Sequence, residues 1–210
     1  MASDDPDHLA GVLLALGAAT LGESGGKPLH PRIRSAWPGA ATAGPAYSVR
    51  CATADNLAVH AAVAEAPAGS VLVVAVDPPE RGYWGEVLTT AAEVRGIRGL
   101  VIDGGVRDVA ALEAHHFAVF SALVALRGAT KMSGGDIGGT VRVGDVDVHT
   151  GDWVVGDRDG VIVIARDDLR DTLERARVRA DKETAMFAKL REGATTVELL
   201  GLDSASVTRP

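Results

Sequence analysis

Cysteine is nearly missing from this chain of 210 residues: Cys51 stands alone, so no disulfide can form within it. A single thiol fits a reducing compartment, and the expectation is a cytoplasmic protein. Aromatic residues make up only 4%, so the core must be built from Ala, Val, Leu and Ile. Positive charge is in deficit, with 21 Lys and Arg against 28 Asp and Glu and a net charge of -7. No basic cluster is available to track a phosphate backbone, which argues against nucleic-acid binding. Long apolar runs are missing too. Leu9 to Ala19 is too short to cross a bilayer, and the acidic opening Met1-Ala-Ser-Asp-Asp-Pro-Asp is the reverse of a basic leader, so no membrane role is expected.

What is present is 47% hydrophobic residues and 25 glycines, the composition of a layered α/β protein with many tight turns or close backbone approaches. Leu9, Val12, Leu13 and Leu16 recur at helical spacing, which predicts an opening helix over about 6–20, closed by the Gly-rich stretch from Gly22 to Gly26. Ala46 to Ala52 reads as a strand and Asp55 to Ala66 as a helix. Val71-Leu-Val-Val-Ala-Val76 is an unbroken apolar run, as expected of a buried parallel strand. A helix over 85–95 and a second buried strand, Leu100-Val-Ile-Asp103, complete a βαβ unit. Val106 to His115 reads as a further helix and Phe117 to Phe120 as a short strand. Beyond them the pattern turns to β segments at 141–148, 153–155 and 161–165, and a long polar helix over about 167–191 closes the chain.

Ligands of open α/β sheets bind beyond the carboxyl ends of the strands, which directs attention to two loops. The first, Asp77 to Glu86, leads into a helix whose early N–H groups, from Gly85 to Leu88, lack intrahelical acceptors and suit a small carboxylate. The second, Asp103-Gly-Gly-Val-Arg107-Asp108, sets a fixed cation beside a carboxylate. Arg grips a carboxylate through two hydrogen bonds, and Asp is a hard oxygen ligand for Mg²⁺ or Mn²⁺. The same residues also admit a plain structural role, Asp108 capping the following helix and Arg107 forming a surface ion pair. Glu86 precedes Arg107 by 21 positions, a spacing that one βαβ unit can fold into one pocket.

Gly85-Glu86-Val87-Leu88, Arg95-Gly-Ile-Arg-Gly99 and Val101-Ile-Asp-Gly-Gly-Val-Arg-Asp108 together resemble the signature of the RraA-like proteins. Looser phrases, among them Gly44-Pro-Ala-Tyr-Ser-Val49, Asp55-Asn-Leu57 and Gly151-Asp-Trp-Val-Val-Gly-Asp157, extend the resemblance over about 40–195. That family includes class II, metal-dependent pyruvate aldolases acting on 4-hydroxy-4-methyl-2-oxoglutarate and 4-carboxy-4-hydroxy-2-oxoadipate. The resemblance implies a three-layer β/β/α swivelling-domain fold over residues 1–210. It also implies assembly as a homotrimer or homohexamer with active sites between subunits. Arg107 would bind the pyruvyl group of a small 2-oxo acid and Asp108 would ligate Mg²⁺ or Mn²⁺. The amides at Gly85, Val87 and Leu88 would hold the substrate, and Glu86 would position a metal-bound water. Glu183, on the C-terminal helix of a neighbouring subunit, would hold further metal-bound waters. Oxaloacetate decarboxylation is the expected side activity.

One departure from the family pattern is Ala111, where an acid commonly stands three positions after the metal-binding Asp; Glu113 follows two residues later. Three rival readings are open. A Schiff-base aldolase would need a buried Lys, and of Lys27, Lys131, Lys182 and Lys189 only Lys131 sits in a Gly-rich loop near strands. A methyltransferase would need a Gly-rich turn after Val71 to Val76, where Asp-Pro-Pro-Glu stands instead. A non-catalytic regulator would use the acidic surface against a protein partner such as ribonuclease E. His60, His115, His116 and His149 are read as structural.

Overall fold

A computed structural model describes residues 5–208. Helix α1 (Pro6–Gly22) opens with the Asp5 carboxylate accepting from Asp7 N at 3.1 Å and with Pro6 at its first position. Gly17, at φ 79°, breaks it into two stretches, and the second restarts with Ala18 N donating to Asp157 Oδ2 at 2.7 Å. Short strands β1 (Lys27–Pro28) and β2 (Arg34–Ser35) precede the long β3 (Thr42–Cys51), α2 (Leu57–Glu65) and β4 (Val71–Ala75). Then come β5 (Gly82–Trp84), α3 (Glu86–Val94), β6 (Gly99–Val106), α4 (Val109–Ala114) and β7 (Ala118–Val124). The β-rich half holds β8 (Gly135–Ile137), β9 (Thr140–Val143), β10 (Val146–His149), β11 (Trp153–Gly156) and β12 (Val161–Ile164). A 3₁₀ turn at Arg166–Asp168 leads into α5 (Leu169–Arg191), and α6 (Thr196–Leu200) follows.

The principal sheet runs β1-β12-β11-β3-β4-β6-β7-β2, with β5 beside β6 and β8 beside β3. Its two halves differ in sense and meet on β3. Thr42 to Pro45 pair antiparallel with β11, whereas Ala46 to Arg50 pair parallel with β4. The parallel strands β4, β6 and β7 are linked by α3 and α4, as parallel pairing requires of its crossovers. Val71, Leu72, Val73 and Val74 of β4 and Leu100, Val101 and Ile102 of β6 are all fully buried, the physical reason these strands read as unbroken apolar runs. The β9–β10 hairpin contributes Val141, Val143 and Val148 to the same core, so hairpin, sheet and helices make the three β/β/α layers. A second core joins Leu13 and Leu21 of α1 to Trp153, Val155, Ile162 and Ile164, with Ala176 of α5.

Three expectations are corrected. The segment 141–148 is a hairpin rather than one strand, because Gly144 and Asp145 both take positive φ, the pair a tight two-residue turn needs. Asp103-Gly-Gly-Val106 is not a loop but the second half of β6, with a register shift between Ile102 and Gly105. Its glycines serve close packing: a side chain on Gly105 would press on Ala125 Cβ at 2.8 Å and Leu123 Cδ1 at 2.9 Å. The helix expected from Val106 therefore begins only at Val109. Third, the loop after β4 contains a strand, β5, whose Trp84 and Tyr83 are buried and bring the chain back beside β6.

Candidate active site

The end of β6 and the start of α3 meet because β5 carries the chain from one to the other. Arg107 N donates to Trp84 O at 2.9 Å, which fixes the residue after β6 against the residue before Gly85. Trp84 is anchored in turn by its Nε1 donating to Thr89 Oγ1 at 2.7 Å and by stacking on Phe117, ring centres 5.8 Å apart. Asp108 takes the left-handed conformation, φ 57° and ψ 35°, which Asp tolerates better than most residues. The turn aims its carboxylate away from α4, so the expected cap of that helix is not made. Instead Oδ2 accepts from Glu86 N at 3.1 Å, at the head of α3. Arg107 Nε lies 3.8 Å from the same oxygen.

Gly85 is the hinge of this arrangement. Its backbone is extended, and its missing side chain is what matters: a methyl there would collide with the Asp108 carboxylate and press on Arg107 Cγ at 3.2 Å. The amides of Val87 and Leu88, next in the first turn of α3, donate to no acceptor among the described residues. Val87, Leu88, Arg107 and Asp108 line one cleft of about 230 Å³, closed by Gly82, Tyr83, Trp84, Gly128 and Ala129. The guanidinium lies over Gly128, 3.4 Å from where a Cβ would stand. A larger groove of about 710 Å³ beside α1, lined by Leu29, Pro31, Ile33 and Ile162 among others, contains none of the expected site residues.

Not every expected residue joins the cleft. The Glu86 carboxylate turns outward to His115, its Oε1 3.7 Å from Nε2, while His115 Nδ1 lies 2.8 Å from Glu93 Oε2. Glu86 thus serves the cleft through its backbone N–H and not through its acid. Glu183, on α5, pairs with Arg179 at 2.9 Å and does not line the cleft of its own chain. Ala111 lies in α4.

Three further polar residues line the cleft, Asn56, His60 and Lys131; of these the sequence offered only Lys131, as the lysine of the rival Schiff-base reading. Asp55 brings them together. Its Oδ1 accepts from Leu57 N at 2.8 Å, capping α2, while Oδ2 accepts from Thr130 Oγ1 at 2.7 Å, Met132 N at 2.5 Å and Ser133 N at 3.1 Å. Burial alone would raise the pKa of Asp55, but these hydrogen bonds hold it down to about 2. Asn56 Nδ2 donates to Tyr83 O at 2.8 Å, tying α2 to β5. The available signal was Asp-Asn immediately before an apolar helix, a helix-start pattern. Cys51, by contrast, is inert: burial, helped by Asp55, pushes its thiol up to about 12.

Among the described residues no group of three or more His, Cys, Asp and Glu is gathered as a metal cage. Asp108 is a lone carboxylate, its second oxygen free of hydrogen bonds. That donor set fits a hard dication such as Mg²⁺ or Mn²⁺, which commonly binds one or two carboxylates and fills its remaining positions with water and substrate oxygens.

The model of the RraA-like family, described as aldolase/RraA, matches residues 9–163. The chain belongs to the RraA-like family. Among its relatives, a protein of Halalkalibacterium halodurans provisionally named a 4-hydroxy-4-methyl-2-oxoglutarate aldolase is 37% identical over 142 residues, 67% of this chain and 68% of that one. An uncharacterised protein from Pseudomonas syringae pv. tomato superposes with a TM-score of 0.82 at 23% identity, covering 93% of both chains, a likeness of fold. The RNA-processing inhibitor RraA from Thermus thermophilus superposes with a TM-score of 0.61 at 26% identity, over 66% of this chain and 85% of that one. The RraA-like fold expected from the sequence is the observed one. No helix of the described residues is long and apolar enough to cross a membrane.

Proposed function

We propose that this RraA-like protein is a divalent-metal-dependent pyruvate aldolase. It cleaves a 4-hydroxy-2-oxo acid such as 4-hydroxy-4-methyl-2-oxoglutarate to pyruvate, with oxaloacetate decarboxylation as a side reaction. The observation that carries this reading is the convergence of Arg107, Asp108 and the unpartnered amides of Val87 and Leu88 on one small cleft. The pyruvyl end of a 2-oxo acid offers adjacent keto and carboxylate oxygens, the acceptors such a donor set lacks. The aldolase name carried by the Halalkalibacterium relative supports the same choice.

Cleavage places negative charge on the 2-keto oxygen as the enolate of pyruvate develops. Arg107 holds a permanent cation at the cleft, and its planar donor fork suits the keto and carboxylate oxygens. The Val87 and Leu88 amides receive the carboxylate at the positive end of α3. Asp108 would hold Mg²⁺ or Mn²⁺, which when bound supplies Lewis-acid polarisation of the 2-keto group. Glu86 N–H keeps the Asp108 carboxylate aimed at the cleft. We further propose a homotrimer or homohexamer in the cytoplasm with sites between subunits, where Glu183 of a neighbouring α5 completes the site.

Arg107→Ala should lower kcat/KM for pyruvate release at least 100-fold, roughly 3 kcal/mol in the barrier. Protein stripped with a chelator should lose activity and regain it with Mg²⁺; full oxaloacetate decarboxylation after stripping would end the metal role. The likeness to the Thermus inhibitor favours a second reading, a non-catalytic regulator binding a protein partner such as ribonuclease E. A regulator of that kind would release no pyruvate and would keep partner binding in Arg107→Ala.

A further inference from the structure

The Arg107 guanidinium donates to no acceptor among the described residues; Asp108 Oδ2 lies 3.8 Å from its Nε, beyond hydrogen-bond reach. A long side chain left so free ordinarily spreads over many rotamers. What confines this one is the shape of the backbone around it. A Cβ added at any of three glycines would meet the arm: at Gly82, 3.1 Å from Cδ and 3.4 Å from Cγ; at Gly85, 3.2 Å from Cγ; at Gly128, 3.4 Å from Nη1. All three glycines line the cleft. They form a trough that admits the arm because no side chain stands in it, and the guanidinium N–H donors stay unspent.

The three glycines carry different duties. A Cβ on Gly82 would also strike Ala125 O at 2.6 Å, and one on Gly85 would strike the Asp108 carboxylate. At Gly128, chain neighbours aside, the guanidinium alone among the described residues comes within 4 Å. The φ of Gly128 lies outside the left-handed range, so this backbone accepts other residues. The segment is also fixed in place, since Arg81 Nη1 donates to Gly128 O at 3.1 Å and Gly82 N to Arg127 O at 2.8 Å. The backbone thus has no need of glycine at 128, whereas the head of Arg107 does. We propose, resting on the aldolase reading, that Gly128 is a positioning residue: by withholding a side chain it sets the place of the Arg107 guanidinium, and with it the grip on the pyruvyl end of the substrate. A donor fork held by walls loses little freedom when the keto and carboxylate oxygens arrive. Moving it by about 1 Å can cost up to about 100-fold in rate.

Gly128→Val directs methyl groups toward Nη1, and its stiff Cβ branch leaves at most one rotamer clear of the guanidinium. With saturating Mg²⁺, pyruvate binding read by calorimetry should weaken at least about tenfold in Gly128→Val and by less in Gly128→Ala, with Tm within a few degrees of the parent. The deciding measurement is kcat/KM for oxaloacetate decarboxylation in a double-mutant cycle. Gly128→Val should lower it at least about tenfold in the parent but less than about twofold in Arg107→Ala, where the group it displaces is gone. An equal loss in both backgrounds overturns the proposal, as does parental pyruvate binding by Gly128→Val or a large fall in its Tm. Unaltered protein that binds no pyruvate overturns the aldolase reading, and the role of Gly128 with it.

Discussion

Asp108 owes its position to a backbone that few residues accept. At φ 57° a β-branched or bulky side chain is strained, whereas Asn follows the same path. Asp108→Asn should therefore keep the hydrogen bond from Glu86 N and melt within a few degrees of the parent, yet lose Mg²⁺-dependent turnover. Calorimetry beside a pyruvate-release assay checks both halves. Gly85→Ala should do the opposite: the added methyl meets the Asp108 carboxylate and Arg107 Cγ, so the turn must shift and pyruvate affinity should fall although no charge is removed. Arg107, Asp108 and the α3 amides were legible in the sequence because a cation and a carboxylate stand side by side just past a buried strand. The gathering of Asn56, His60 and Lys131 on the same cleft was not. Their meeting depends on a clamp between segments 75 to 78 residues apart, and no local pattern records so distant a contact.

Among the elements, that clamp is the clearest case of one side chain placing two segments. Asp55 caps α2 and ties down the 130–133 loop. Asp55→Ala should lower Tm and raise KM together, by releasing Lys131 from the cleft. A folded-state pKa of about 2 lies below the unfolded value near 3.9. The stabilisation from this group is thus complete above about pH 4 and fades as pH falls toward 2. In Asp55→Asn that part of the acid dependence should be absent from a pH series of melting curves. Strands β4 and β6 were legible because parallel strands buried on both faces cannot alternate. The extension of β6 through Gly104 and Gly105 was not, since paired glycines mark turns far more often than they mark the close packing seen against Leu123 and Ala125.

Over the whole molecule, several large apolar side chains remain uncovered in and beyond the residues that frame the cleft. Val87 is 79% exposed, Leu126 88% and Met132 86%. Val87 lines the cleft, and Leu126 and Met132 stand within two residues of its lining residues Gly128 and Lys131, positions that the proposed subunit interface would cover. Light scattering should return three or six copies of the chain, and turnover per subunit should fall on dilution below the assembly threshold. A layered α/β protein was legible as alternating strands and helices followed by a β-rich half, and its β/β/α form came from the family resemblance, whereas the joining of those halves through one strand was not legible.

Because β3 gives its first residues to an antiparallel ladder and its later ones to a parallel ladder, one continuous strand is common to both halves of the sheet. The N- and C-terminal sections should consequently melt in a single cooperative transition. The amides in the middle of β3 should be among the last in the protein to exchange with heavy water.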